Sequence, residues 1–82
     1  MEQMYVSLEA INAIENFMNA EVSFETEESC LAAGSLYREL VEEECVEDDQ
    51  EAVYLLNQYF DKLGSSGLSK EKRDIVLKGF LD

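Results

Sequence analysis

The sequence predicts a small all-α domain of four helices, and three observations support that prediction. Its 82 residues contain no proline, so nothing forces a break inside a helix. Apolar residues recur at the three-to-four spacing of a buried helical stripe in four separate stretches. Each stretch follows a Ser, Thr or Asp, whose oxygens accept hydrogen bonds from the first free amides of a helix. A hydrophobic content of 46% belongs to a globular chain, so the acidity described below does not signal disorder.

The first helix is expected over 7–19, with Ser7 as cap and Leu8, Ile11, Ile14, Phe17 and Met18 as its apolar stripe. On either side, Met4-Tyr5-Val6 and Val22-Ser23-Phe24 alternate enough to offer a minor N-terminal strand pair. The second helix, over 27–44, starts after Thr26, with Glu27 and Glu28 in the first turn where the macrodipole favours them. At 100° per residue it gathers Cys30, Ala33, Gly34, Tyr37, Leu40, Val41 and Cys45 on one face and Glu28, Glu39, Glu42 and Glu43 on the other. Glu44 falls on the apolar face, where an unpaired carboxylate is expensive. Either the helix ends near Glu43, or a base such as Lys62 or Arg73 pairs with Glu44.

Asp48 and Glu51 form a capping-box pattern ahead of a third helix over 49–63, built on Val53, Leu56, Tyr59, Phe60 and Leu63. Gly64 stands where a helix-terminating glycine belongs, and Gly64-Ser65-Ser66-Gly67 is the clear loop signal. Ser69 caps a fourth helix over 70–81, with Ile75, Val76, Phe80 and Leu81 inward and Leu77 at the flank. That stripe is short, so the fourth helix is expected to pack across the others.

Charge is distributed unevenly. Through Asp61 there are sixteen Asp and Glu against one base, Arg38, whereas from Lys62 onward five bases meet three acids, giving a net −13. A single-sign field of that strength steers association and otherwise only costs the compact state. At this length the stability margin is a few kcal/mol, so a homodimer or a bound partner could make up the loss. Anionic nucleic acid and lipid repel such a chain, which predicts neither direct nucleic-acid nor membrane binding. No apolar run approaches the roughly 18 residues of a membrane span. MEQMYVSLEA lacks the basic start of a signal peptide, so the expectation is a cytoplasmic protein.

Catalysis is not expected. There is no histidine, hence no common general base or proton shuttle, and a strongly negative field opposes thiolate formation at any cysteine. No metal or cofactor is expected either, because Glu47, Asp48, Asp49 and Glu51 crowd a helix start without the central glycine of a calcium loop. Cys30 and Cys45, placed on one helix, would be about 22 Å apart, too far to bridge, and read as two small buried hydrophobes.

FDKLGSSGLS resembles the phosphopantetheine attachment region of acyl carrier proteins, small acidic four-helix proteins. That family sets an Asp directly before the modified Ser; here Gly64 precedes Ser65, and a glycine-ended helix followed by a serine-capped one accounts for the segment. In size, acidity and lack of catalytic residues the whole chain is similar in type to small phage anti-defence proteins, the anti-CRISPR proteins and DNA-mimicking restriction inhibitors. That resemblance implies stoichiometric inhibition of a basic nucleic-acid-handling protein, such as a CRISPR effector, in the host cytoplasm. The candidate partner-binding residues are Glu28, Glu39, Glu42, Glu43, Glu47, Asp48, Asp49 and Glu51, from a stretch of twelve acids against Arg38 between Glu21 and Glu51. The alternative is a helical adaptor or antitoxin-like regulator that binds through an apolar groove and uses charge only for solubility.

Overall fold

Helix N-termini are where this chain states its structure most openly. In the computed structural model, which describes residues 6–63 and 68–82, the helices are α1 Leu8–Asn19, α2 Glu27–Glu43, α3 Asp49–Lys62 and α4 Lys70–Leu81. All four expected caps form. Ser7 Oγ accepts from the Ala10 amide at 3.2 Å, Asp48 from Gln50 at 2.9 Å and Ser69 from Lys72 at 3.3 Å. Thr26 and Ser29 cap reciprocally, each side-chain oxygen accepting from the other's amide at 3.0 Å.

There is no strand among the described residues. Val22 and Phe24, expected in a strand pair, lie in an irregular connection and pack against the core instead. Met4 and Tyr5 lie outside the described residues, as does the Gly64–Gly67 loop.

α2 is the central element. Its strongest partner is α4, and the two backbones touch where Gly34 meets Gly79. A Cβ on Gly34 would collide with the Val76 carbonyl oxygen and stand 2.7 Å from the Phe80 amide nitrogen; one on Gly79 would collide with the Leu31 carbonyl oxygen. Two glycines facing each other allow closer approach than any side chain permits. This is how a helix with a short apolar stripe buries enough of itself: Val76, Gly79 and Phe80 are inside, while Leu81, expected inside, is 63% exposed.

Around the crossing the core is largely aromatic. Tyr37 of α2 sits between Phe17 of α1 and Phe80 of α4, with ring centroids 5.0 and 5.1 Å away. Tyr59 and Phe60 of α3 meet Phe17 and Phe24 edge to face at 5.9 and 6.0 Å, a favoured geometry. The buried Tyr37 hydroxyl donates to the Ala52 carbonyl oxygen at 2.8 Å, and burial pushes its pKa well above the ordinary phenol value. No charged side chain is buried among the described residues.

α1 corrects its expected stripe. Ala10, Ala13, Ile14 and Phe17 face the core, whereas Leu8 is 69% exposed and Met18 41% exposed. The inward face is rotated by roughly a quarter turn from the one the large residues define, at 100° per residue. The two alanines allow this by letting α1 sit close while Phe17 supplies the volume.

Gly34→Ala tests the crossing against intrinsic propensity. Alanine favours an isolated helix over glycine by about 1 kcal/mol, but overpacking at rigid backbone costs about 1–3 kcal/mol or more. With the added Cβ meeting backbone atoms the cost lies at the upper end of that range, so the expected net result in urea unfolding is a loss of about 1–2 kcal/mol; a gain in stability would show that the helices are not in contact there.

Candidate functional site

The fold sorts the eight candidate partner-binding carboxylates into distinct groups. α2 ends at Glu43, and the turn that ends it decides what lies beyond. Glu44 is the C-cap, its amide donating to Leu40 O; Cys45 follows at φ 57, and Val46 turns back. The Val46 amide donates to Val41 O and the Cys45 amide to Glu42 O, both at 3.1 Å. These are the paired bonds of a Schellman motif, with half-buried Val46 packed against the core cluster that contains Val41. The Glu44 question is thereby settled: the helix stops before Glu44 need be buried, and it is half-exposed. Arg73, a candidate partner for it, pairs with Asp61 at 3.0 Å.

The same turn corrects the cysteine reading. Cys30 is buried, its thiol donating to Phe24 O at 3.6 Å and raised in pKa chiefly by burial. Cys45, beyond the helix, is exposed. It also occupies a left-handed conformation that favours glycine.

Arg38, the lone base before Lys62, joins three helices. Its guanidinium reaches from α2 to Asp49 at the start of α3 through two bonds of 3.1 and 3.2 Å. Its Nε donates to Phe80 O at 2.9 Å, and it lies 4.3 Å from the centre of the Phe80 ring. The Arg38 hydrogen bond holds the Asp49 carboxyl below the usual carboxylate range. Asp49 is therefore committed within the fold.

Glu51 is committed as well, and differently from its expected role. Instead of reaching back to Asp48 in a capping box, its carboxylate accepts from the Ser7 amide and the Ser7 hydroxyl, both at 3.1 Å. It thus caps α1 from 44 residues away. The α1 N-terminus offers two donors and a positive dipole end, which outcompete a single local amide.

The other six candidates, Glu28, Glu39, Glu42, Glu43, Glu47 and Asp48, are all exposed. Asp48 caps its own helix; the other five make no side-chain hydrogen bond or ion pair among the described residues. Glu28 stands eleven residues before Glu39, about 16 Å along the axis, and belongs to the other end of α2. Glu39, Glu42 and Glu43 share the last turns of α2 and lead directly into Glu47 and Asp48. These five fall within one ten-residue stretch around the end of α2, an acidic ridge along the chain that also takes in Glu44.

The ridge sits at the wrong end of its helix. The last turn of α2 contains no base, so Glu39, Glu42 and Glu43 gather where the macrodipole is already negative. Next to the ridge, Ser7, Glu9, Cys45, Glu47, Asp48 and Glu51 line an open cleft of about 410 Å³. Among the described residues no three acids or thiols converge closely enough to hold a metal ion.

Comparison with protein-family models, curated proteins and solved structures finds no match. No helix among the described residues is long and apolar enough to cross a membrane.

The Schellman turn yields a direct prediction. Replacing Cys45 with glycine removes the left-handed penalty of about 1–2 kcal/mol, partly offset by about 0.5–1 kcal/mol from glycine's greater unfolded-state entropy. Cys45→Gly should raise stability by about 0.5–1 kcal/mol with an unchanged denaturant slope. A destabilised variant would mean that the Cys45 side chain contributes more at this position than its backbone costs.

Proposed function

We propose that this protein is a stoichiometric inhibitor that occupies the basic nucleic-acid-binding surface of a partner protein, with the ridge of Glu39, Glu42, Glu43, Glu47 and Asp48 as its contact. One observation supports this reading above the others: Glu39, Glu42 and Glu43, which make no side-chain hydrogen bond or ion pair among the described residues, are concentrated at the negative end of α2, with Glu47 just beyond it. Acids elsewhere on the fold do structural work, as Asp49 and Glu51 do at positive helix ends. Within the ridge Asp48 caps α3, whereas Glu39, Glu42, Glu43 and Glu47 make no hydrogen bond or ion pair among the described residues and add repulsion to one another.

Spacing favours a surface evolved to hold phosphates. Glu39 and Glu43 are four residues apart on one face, a rise of about 6 Å, close to two steps of a nucleic-acid strand at about 3.4 Å each. Arg and Lys side chains arranged along a phosphate backbone could meet such carboxylates in the same register. The DNA mimics and anti-CRISPR inhibitors named above use this chemistry as a type, and a CRISPR effector is one partner of the right character. Binding of this kind is fast and salt-sensitive, because exposed charges steer encounter and are screened over about 8 Å at physiological ionic strength.

Reversing the charge of the ridge is the test. The protein and its Glu39→Lys/Glu42→Lys/Glu43→Lys variant are used as bait in host extract, with circular dichroism confirming that both are folded. The wild type should retain a nucleic-acid-binding protein that excess DNA displaces and that about 0.5 M salt releases, and the reversed variant should retain none. Capture that survives both the reversal and the salt would refute the proposal.

A further inference from the structure

We propose that α1 provides a second contact, a docking face for a cationic amphipathic helix of a partner protein. Its apolar part is Leu8, Ile11 and Met18, which fall within about 80° of one another at 100° per residue. Leu8 is 69% and Met18 41% exposed, with Ile11 half-buried between them. Single exposed apolar side chains need no explanation, but three on one arc of one helix form a stripe. It is about 15 Å long from Leu8 to Met18, two to three turns of a partner helix presenting anchors at i, i+3 or i+4 and i+7.

Charge identifies the occupant. α1 contains no base, and Glu15 stands on the same arc as the stripe. At its N-terminal end Leu8 lies between Ser7 and Glu9, two residues that line the cleft with the carboxylates of Glu47, Asp48 and Glu51. An apolar stripe that runs into a carboxylate cleft suits a helix with apolar anchors along its length and a Lys or Arg at one end, reaching into the cleft. A second copy of this chain suits it poorly, because a two-fold contact through α1 would set Glu15 and the cleft against their own like charges, on molecules of net −13 each. The face lies on a different helix from the ridge and shares only Glu47 and Asp48 with it, so either contact can fail without the other.

Two synthetic peptides of about 14 residues, long enough to span α1, serve as probes: an amphipathic Leu/Lys helix, and a Gly/Ser/Lys peptide of equal charge with no apolar face. Titration calorimetry at about 0.5 M salt suppresses bulk attraction. The protein should bind the amphipathic peptide at least about tenfold more tightly than the other. Leu8→Ser/Met18→Gln, both at exposed positions, should remove that preference, whereas Glu39→Lys/Glu42→Lys/Glu43→Lys should preserve it. Equal binding of the two peptides, a preference untouched by the α1 substitutions, or sedimentation showing a dimer that those substitutions dissociate would each overturn the proposal. Loss of preference in the ridge variant alone would also overturn it, while leaving the ridge reading intact.

Discussion

The Gly34–Gly79 crossing is the constraint on which the rest of this structure depends. It brings the α2 and α4 backbones into contact, and that proximity lets the side chains one turn further along do their work. Tyr37 stacks toward Phe80 and ties its hydroxyl to α3. Arg38, four residues beyond Gly34, lies over Phe80 and bonds its carbonyl while holding Asp49. Widening the crossing by even one methyl group would lift the Arg38 guanidinium from Phe80 and weaken the hold of α4 on α3, which have few other contacts.

Because the core is aromatic and uncharged, the net charge is carried outside it and need not be resolved by folding. Several acids nevertheless help the fold. Glu27 and Glu28 sit in the first turn of α2, Asp49 and Glu51 in the first turn of α3, where each interacts favourably with a helix dipole. Glu51 also caps α1 from a distance. The end of α2 is the exception, and this contrast within one helix separates acids that favour the helix dipole from Glu39, Glu42 and Glu43, which oppose it. Repulsion there is tolerable because exposed charges at helix ends cost only a few tenths of a kcal/mol each in salt.

Helices were legible because their signals are local. Ser7, Thr26, Asp48 and Ser69 cap where expected, and all four helix spans agree with the periodicity to within a residue. What was not legible is tertiary or runs against a residue's habit. Gly79 reads as a mild helix breaker until Gly34 is placed opposite it. Cys45 gives no sign of a left-handed turn, since glycine is the residue that advertises one. In α1 the large residues pointed to one face and two alanines chose another, because close approach, not side-chain size, decided the packing. Of the candidate site, the exposed carboxylates of α2 were readable from the helical wheel. The commitments of Asp49 to Arg38 and of Glu51 to Ser7 were not, since each joins residues on different helices.

The central claim is that a neutral, closely crossed scaffold supports an acidic ridge whose charge is a net cost to the free protein. Thermal unfolding across sodium chloride from about 0.05 to 0.5 M tests it most directly, because screening contracts from about 14 Å to about 4 Å over that range. Relief of like-charge repulsion should raise the midpoint steadily, with most of the gain at low salt, while the uncharged crossing is unaffected. A midpoint that falls with salt would mean that favourable ion pairs dominate the electrostatics of the fold, and the ridge could not then be a cost reserved for a partner.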